Sequence, residues 1–243
     1  MAGLDWLTAR PVAHRGLHDA ASGVIENTPS AFAAAIAGNY AIECDLQIAA
    51  DGEAMVFHDD TLDRLTDRQG AVAALSSHDL KAVSFKASSD RMMSLGDLCG
   101  LVAGRVTLIL ELKSHFEGDR RLAQRIADVL QGYAGPVAAM SFDPAQVGAL
   151  SDLAAGLPRG LVGQSDYRAE SSRTASRWSY GTEVFRSRPH FIAWSVKDLP
   201  GVAPLFARHT FGLPLLTWTV RSEDDRKRAR RWADQMIFEG FRP

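Results

Sequence analysis

The sequence predicts an α/β protein of the TIM-type (β/α)8 barrel class, in one domain over residues 1–243. Short apolar runs with strand character alternate with amphipathic or alanine-rich segments with helix character along most of the chain. This alternation is typical of a parallel sheet covered by helices. Eight runs qualify as strands, and the length of 243 residues suits a barrel that typically needs about 250.

The first half of the chain carries the clearest boundary signals. Thr28 is a typical helix N-cap and Pro29 suits a first helical position, so a helix is expected to follow them. Asp51-Gly52 predicts a tight turn, after which the chain returns as a short extended segment over 54–57. In this half, strands are expected at 11–15 and 41–48, and helices at 30–37, 77–83 and 95–102.

The second half continues the alternation. The run 106–112 is β-branched and apolar, as expected of a parallel strand buried on both faces. The segment 222–233 is a charged helix in which acidic residues precede basic ones, typical of a helix that faces solvent. The remaining strands are expected at 137–142, 160–162, 191–196, 215–220 and 235–238, with helices at 119–130, 144–153 and 202–209.

Composition excludes several classes of protein. The formal net charge of −2 gives no global basic excess, which argues against a nucleic-acid partner. The longest strongly apolar runs are far shorter than the ~20 residues that span a bilayer, and the amino-terminal residues lack a signal-peptide pattern. Two cysteines suggest no disulfide framework. We therefore expect a soluble, cytoplasmic protein with no integral membrane segment.

Three acidic residues near strand ends predict a metal site. Glu43 and Asp45 are two residues apart on one strand, so both side chains project from the same face. Carboxylates this close repel each other unless a positive charge lies between them, and Mg²⁺ or Ca²⁺ takes oxygen ligands. Glu111 ends another buried strand and is a candidate third ligand. The alternative is a surface acidic pair, which the apolar flanking residues disfavour.

Two histidines follow apolar runs in the same way. His14 comes after Val12-Ala13, and His58 follows the extended segment 54–57. A single histidine in this position is more often structural, but two of them beside a carboxylate cluster favour an acid–base pair, since imidazole transfers protons near neutral pH. Neither belongs to a typical zinc-binding pattern.

Cationic and polar neighbours complete the candidate site. Arg15 offers a planar fork for phosphate oxygens, and Lys113 offers a point charge, although an ordinary Glu–Lys pair is the alternative for Lys113. Asn27 either orients a catalytic group or shapes its loop. Trp218 ends a predicted strand and either packs in the core or forms the wall of a ligand pocket.

An arginine-rich stretch, Arg168 to Arg188, follows the fifth predicted strand. It contains five arginines with interspersed aromatic residues. A loop after a barrel strand lies on the active face. The stretch is therefore either a lid that contacts an anionic or alcohol group, or a variable loop.

These motifs together are similar to those of a known family. In chain order they are His14-Arg15-Gly16, Glu26-Asn27-Thr28-Pro29, Ile42-Glu43-Cys44-Asp45, Asp51-Gly52, Phe57-His58-Asp59, Leu110-Glu111-Leu112-Lys113 and Trp218-Thr219-Val220. Each is weak alone, but the set resembles the glycerophosphodiester phosphodiesterase family, in its leaderless bacterial form. Two positions depart from that family: Arg221 stands where Asn is common, and Glu239 stands in place of a usual Asp.

The resemblance implies a TIM barrel with a divalent cation on Glu43, Asp45 and Glu111. It implies His14 and His58 as the general acid and base, with Arg15 and Lys113 on the phosphate. The implied reaction is hydrolysis of a glycerophosphodiester, the small-molecule partner, to sn-glycerol 3-phosphate and an alcohol.

Three other functions remain open from the sequence. A phospholipase D-like hydrolase of lysophospholipids would use the same metal and histidines. A glycosidase would use Glu43 and Glu111 as its carboxylate pair, but it would leave the histidines and cations without a role. A non-catalytic barrel that binds a phosphate ligand is the third, and the intact set of candidate residues argues against it.

Overall fold

Eight parallel strands close into a barrel in the computed structural model, which describes residues 3–165 and 186–243. The first strand, β1 (Val12–Ala13), pairs with both β2 (Ala41–Ile48) and β9 (Gln235–Phe238), and this double pairing closes the sheet. One further strand, β3 (Ala54–Val56), returns antiparallel to β2. The other barrel strands are β4 (Leu108–Leu112), β5 (Val137–Ser141), β6 (Arg159–Gly163), β7 (Phe191–Ser195) and β8 (Leu215–Val220).

Helices cover the outside of the barrel. Several begin at a side chain that accepts a hydrogen bond from the first helical turn, as Thr28 does from the Ala31 amide at 3.5 Å and Ser94 from the Asp97 amide at 3.3 Å. In the described residues the α-helices are α1 (Asp5–Thr8), α2 (Pro29–Ala37), α3 (Ser77–Ala82), α4 (Leu95–Val102), α5 (Arg121–Leu130), α6 (Pro144–Leu153), α7 (Val202–Phe211) and α8 (Glu223–Trp232).

Apolar side chains fill the barrel interior and the layer outside it. The interior cluster takes one or more residues from every barrel strand, and Leu7 of α1 packs against it. Residues of β2 and β4 that point the other way belong to one apolar cluster with residues of α2, α4, α5 and α6. Alternation along each strand therefore sends one set of side chains inward. The interior set includes Val12, Ala41, Ile109, Ala138, Val162, Phe191, Leu216 and Ile237.

A small lobe, residues 49–93, lies between β2 and α4. It contains β3 and α3 and has its own apolar cluster, which includes Phe57, Leu62 and Leu80. The Phe57 amide donates to the Asp45 carbonyl at 3.0 Å. This bond holds the start of the lobe against the carboxyl end of β2, where the chain then delivers His58.

The predicted barrel is confirmed, and most predicted elements agree with the structure within two residues. The first strand is shorter than predicted because Arg15 and Gly16 leave the extended conformation, with φ of 56° and 80°. The short helix α1 was not predicted. The strand predicted over 106–112 begins at Leu108.

Candidate active site

Three carboxylates meet inside the barrel at the carboxyl ends of its strands. Glu43 and Asp45 lie on β2 and Glu111 lies on β4, where Asp45 stands beside Glu111 in the parallel register. All three side chains are buried, and one oxygen from each lies within 4.8 Å of the other two. The structure thus brings together the three residues that the sequence predicts as metal ligands.

Two cations neutralise most of this charge. The Lys113 ammonium lies 2.7 Å from Asp45 Oδ1 and 2.5 Å from Glu111 Oε1, and Arg15 Nε lies 3.2 Å from Asp45 Oδ2. Burial by itself favours the neutral acid at Asp45, but Lys113 and then Arg15 hold its pKa well below the ordinary value. The same carboxylates raise the pKa of Lys113, although burial opposes this. Asp45 and Lys113 are therefore both charged at neutral pH.

Glu43 is the carboxylate with the least compensation. Its Oε2 accepts the Arg15 backbone N–H at 2.9 Å, but its buried Oε1 has no hydrogen-bond partner among the described residues. Burial, followed by repulsion from Asp45 and Glu111, raises the pKa of Glu43 well above its ordinary value. An unpartnered buried oxygen in an all-carboxylate cluster fits a hard divalent cation such as Mg²⁺ or Ca²⁺.

The loop between β1 and α2 holds Arg15 and Asn27 in unusual backbone conformations. Both residues have positive φ, 56° and 57°, which an arginine adopts only when its surroundings fix it. The Asn27 amide donates to Asp45 Oδ2 at 2.8 Å, and the Asn27 backbone N–H donates to the Arg15 carbonyl at 2.9 Å. The sequence left open whether Asn27 orients a catalytic group or shapes its loop. In the structure its side chain contacts a candidate metal ligand, and its backbone bonds to Arg15 within the loop.

His14 follows β1 directly and enters the barrel mouth. Its Nδ1 lies 2.8 Å from Glu239 Oε2, and its Nε2 lies 3.9 Å from Glu43 Oε2. The hydrogen bond from His14 is the largest cause of a fall in the pKa of Glu239 to about 2. The imidazole is thus held by one carboxylate, and its second nitrogen faces the cluster.

His58 is held in a similar way from the small lobe. Its Nδ1 lies 2.7 Å from Asp59 Oδ1, while Arg64 Nε donates to the other Asp59 oxygen at 2.6 Å. The Gln47 amide, at the end of β2, donates to the His58 carbonyl at 3.1 Å. Both histidines lie close enough to Asp45 to contribute to the lowering of its pKa.

A cleft of about 450 Å³ opens beside the cluster. Its lining includes His58, Glu111, Lys113 and Phe142. Trp218 projects into the barrel interior and packs edge-on against Phe142, with ring centroids 5.4 Å apart. Trp218 is partly buried and packs against the interior cluster, and its Phe142 neighbour forms part of the cleft wall.

Some residues of the site had no role in the sequence prediction. Glu26 accepts hydrogen bonds from both Arg15 and Arg64, and Asp59 and Glu239 hold the two histidines. Asp59 directly follows His58, and Glu239 directly follows a strand end; these positions are the signal that would have found them.

Most of the arginine-rich stretch lies outside the described residues, which do not include 166–185, so the lid interpretation is not tested. Among the described residues, none belongs to a helix long and apolar enough to cross a bilayer.

Comparison with known proteins gives one family. Residues 14–239 match the model of the glycerophosphoryl diester phosphodiesterase family. A curated relative, the glycerophosphodiester phosphodiesterase of Caldanaerobacter subterraneus subsp. tengcongensis, is 33% identical over 111 residues. That match spans 42% of this chain and 44% of the relative.

Solved structures have the same fold. A candidate glycerophosphoryl diester phosphodiesterase from Silicibacter pomeroyi DSS-3 superposes with a TM-score of 0.76 at 25% identity, covering 94% of this chain and 89% of that one. An Oleispira antarctica phosphodiesterase in complex with the product sn-glycerol-3-phosphate gives 0.78 at 19% identity, covering 96% and 94%. The glycerophosphodiester phosphodiesterase of Thermotoga maritima gives 0.72 at 20% identity, covering 94% of each chain.

The family model covers nearly the whole chain, and it begins at His14 and ends at Glu239, the two residues that meet where the barrel closes. As the motifs predict, the chain belongs to the glycerophosphoryl diester phosphodiesterase family, a family of phosphoric diester hydrolases.

Proposed function

We propose that this chain hydrolyses glycerophosphodiesters to sn-glycerol 3-phosphate and an alcohol, with a divalent cation and a pair of histidines. One arrangement carries the proposal: two histidines, each with Nδ1 held by a carboxylate at 2.7–2.8 Å, lie beside a buried cluster of three carboxylates. The relative from Oleispira antarctica that is in complex with sn-glycerol-3-phosphate supports the choice of substrate.

Glu43, Asp45 and Glu111 would hold the metal ion. A bound Mg²⁺ or Ca²⁺ supplies Lewis-acid polarisation of a phosphate oxygen and stabilises the charge that develops on it. The unpartnered Oε1 of Glu43 and the excess of carboxylates over cations support this assignment.

The two histidines move the protons. One imidazole accepts the proton of the attacking hydroxyl, from water or from the glycerol part of the substrate, as the new P–O bond forms. Attack by water gives glycerol 3-phosphate directly, whereas attack by the glycerol hydroxyl gives a cyclic phosphate, which water then opens to glycerol 3-phosphate by breaking one P–O bond of the ring. The other donates a proton to the leaving oxygen as the old P–O bond breaks, so that the alcohol leaves neutral. Because Asp59 and Glu239 hold Nδ1 of each ring, the nitrogen that exchanges a proton with the substrate is Nε2 in both.

Arg15 and Lys113 bind the phosphate. Both are charged at the floor of the barrel mouth, and the guanidinium of Arg15 can form two parallel hydrogen bonds with phosphate oxygens. Their charges also stabilise the negative charge that increases on the phosphate in the transition state. Trp218 contributes to the wall behind this site through its contact with Phe142.

The experiment is release of glycerol 3-phosphate from glycerophosphodiesters with choline, ethanolamine, glycerol and inositol head groups. It is run with Mg²⁺, with Ca²⁺ and with EDTA. We expect metal-dependent release in the wild type and none in Glu43→Gln, a variant that keeps an acceptor for the Arg15 backbone N–H. Glu53→Gln is the matched control, because Glu53 pairs with Arg125 outside the site and its loss should leave release unchanged.

Two results would contradict the proposal. Metal binding by the folded protein without release from any of these substrates would favour the phospholipase D-like function, which lysophospholipids would then test. Neither release nor metal binding would favour a non-catalytic phosphate-binding barrel.

A further inference from the structure

Three side chains form a continuous chain across the closure of the barrel. Strands β8, β9 and β1 are consecutive neighbours, and the residue that follows each of them is Arg221, Glu239 and His14. Arg221 Nη2 lies 2.9 Å from Glu239 Oε2, and the same oxygen lies 2.8 Å from His14 Nδ1.

Backbone hydrogen bonds hold together the strand ends from which these side chains project. The His14 amide donates to the Phe238 carbonyl, and the Glu239 amide donates to the Val220 carbonyl, both at 3.0 Å. The three residues therefore directly follow strand ends that are joined to one another by backbone hydrogen bonds. The His14 ring is the least exposed member at 12%, and Arg221 is the most exposed at 55%.

The contact determines which nitrogen of His14 carries its proton. A carboxylate oxygen accepts hydrogen bonds and cannot donate one, so a ring nitrogen 2.8 Å away must carry hydrogen. The opposite tautomer would bring a nitrogen lone pair against an anionic oxygen. The pKa of Glu239, lowered to about 2 by the His14 bond and by Arg221, keeps the carboxylate anionic at neutral pH.

We propose that Glu239 and Arg221 are a positioning pair for His14: Glu239 selects the tautomer protonated on Nδ1, and Arg221 fixes the Glu239 carboxylate. Nε2 is then the nitrogen that faces Glu43 and the substrate. This inference rests on the proposed function, in which His14 exchanges a proton through Nε2.

The first test uses the wild-type protein and needs no activity. In ¹⁵N-histidine NMR spectra at neutral pH, His14 is assigned by its loss in His14→Gln, and its two ring nitrogens report which one is protonated. We expect the Nδ1–H form in the wild type and in Glu239→Asp, and a mixed or reversed tautomer in Glu239→Gln, whose amide can donate to Nδ1. An Nε2–H tautomer in the wild type would overturn the inference, even if neither Glu239 variant folds.

The second test is kinetic, with saturating metal ion. Glu239→Gln should lower kcat by about 10²-fold, within the range that a general acid or base contributes, with KM changed by less than about twofold. Glu239→Asp should recover most of the rate. Arg221→Met should lower kcat by about 10-fold, because it removes the side chain that holds the Glu239 carboxylate in place. In a His14→Ala background, Glu239→Gln should cost nothing further, because its effect passes through His14.

The control is Asp234→Asn. Asp234 precedes β9 at its opposite end and pairs with Arg208 there, so this variant removes an equivalent arginine contact without touching the site, and we expect kcat to change by less than about twofold. An equal loss from Glu239→Gln with and without His14 would overturn the positioning role. Absence of activity in the wild type would contradict the proposed function instead, and the His14 tautomer would still decide whether the pair positions the ring.

Discussion

The neighbours of each carboxylate in this site determine the direction in which its pKa is shifted. Asp45 contacts two cations and the Asn27 amide, so its carboxylate is fully compensated, whereas Glu43, two residues away, has one oxygen with no hydrogen-bond partner in the described part of the chain. The difference follows from their neighbours, since both carboxylates are buried on the same strand. Two identical functional groups thus have opposite pKa shifts.

The histidine assignments lead to the first prediction. His14→Ala and His58→Ala should each lower kcat by roughly 10²–10⁴-fold, since each removes one proton-transfer group. Metal binding should persist in both variants, because neither ring belongs to the carboxylate cluster. Steady-state kinetics together with calorimetric titration of Mg²⁺ or Ca²⁺ measure the two effects separately. Wild-type activity in either variant would show that the substituted histidine takes no part in proton transfer.

The raised pKa of Glu43 predicts how stability depends on pH in the absence of metal. The folded protein holds a proton on Glu43 at pH values where the unfolded chain has lost it, so this residue's contribution falls as pH rises above the ordinary carboxyl value of about 4.5. Glu43→Gln has no such proton. In EDTA the variant should be more stable than the wild type at pH 8, by on the order of 1 kcal/mol, and the difference should shrink towards pH 4.5.

Urea unfolding at several pH values in EDTA measures this difference. Glu53→Gln is again the control, and its stability relative to the wild type should not rise with pH in this way. A Glu43→Gln variant that is less stable than the wild type at pH 8 would show that the charged Glu43 is compensated in the folded protein.

At the level of helices and strands, the sequence predicted most of what the structure contains. The helix Pro29–Ala37 begins where Thr28 and Pro29 predicted it, because a cap depends only on residues within one turn. One boundary that was predicted wrongly is the end of β1. There the chain turns to positive φ at Arg15, a residue with no local preference for it, because the Arg15 amide must reach Glu43.

Pairings between distant residues were beyond sequence reasoning for a related reason. Arg64 bridges Glu26 and Asp59, and Glu239 reaches His14 across 225 residues. Those contacts depend on how the small lobe folds over the barrel and on which strands close it, and no local spacing encodes either. The inward face of β2 was predictable, since alternation alone sends Glu43 and Asp45 to one side.

The tight loop after β1 gives a prediction about a single element. Gly16 has φ of +80°, and a Cβ there would lie 2.9 Å from Ala31 of α2. Gly16→Ala should therefore destabilise the fold by about 1–3 kcal/mol, through both backbone strain and contact with the helix. Gly148→Ala is the matched control, because that glycine is in α6 with open space around it, and the change should stabilise by about 0.5–1 kcal/mol. Urea unfolding of both variants and the wild type measures the effects. Equal stability of Gly16→Ala and the wild type would contradict the predicted strain at Gly16.

The whole barrel positions the site, because the residues of the site come from separate parts of the sequence. The ligand candidates come from two neighbouring strands, the cations from β4 and the loop after β1, and the histidines from the closing strand and the small lobe. The unfolded chain cannot bring these groups together, so any ion that binds them binds the closed barrel. Metal affinity and folding stability are therefore linked.

This linkage gives a prediction for the molecule as a whole. At a free Mg²⁺ or Ca²⁺ concentration about 100 times the Kd, the folded state should gain about 2.7 kcal/mol, which for a chain of this size raises Tm by about 5–10 °C. Glu111→Gln removes one ligand while leaving the barrel pairing of β4 intact, so it should lose most of the increase, whereas Glu53→Gln should keep it. Thermal unfolding with the ion and with EDTA measures the shift. An increase of equal size in Glu111→Gln would mean that the ion stabilises the barrel from another site, because only binding at the carboxylate cluster depends on Glu111.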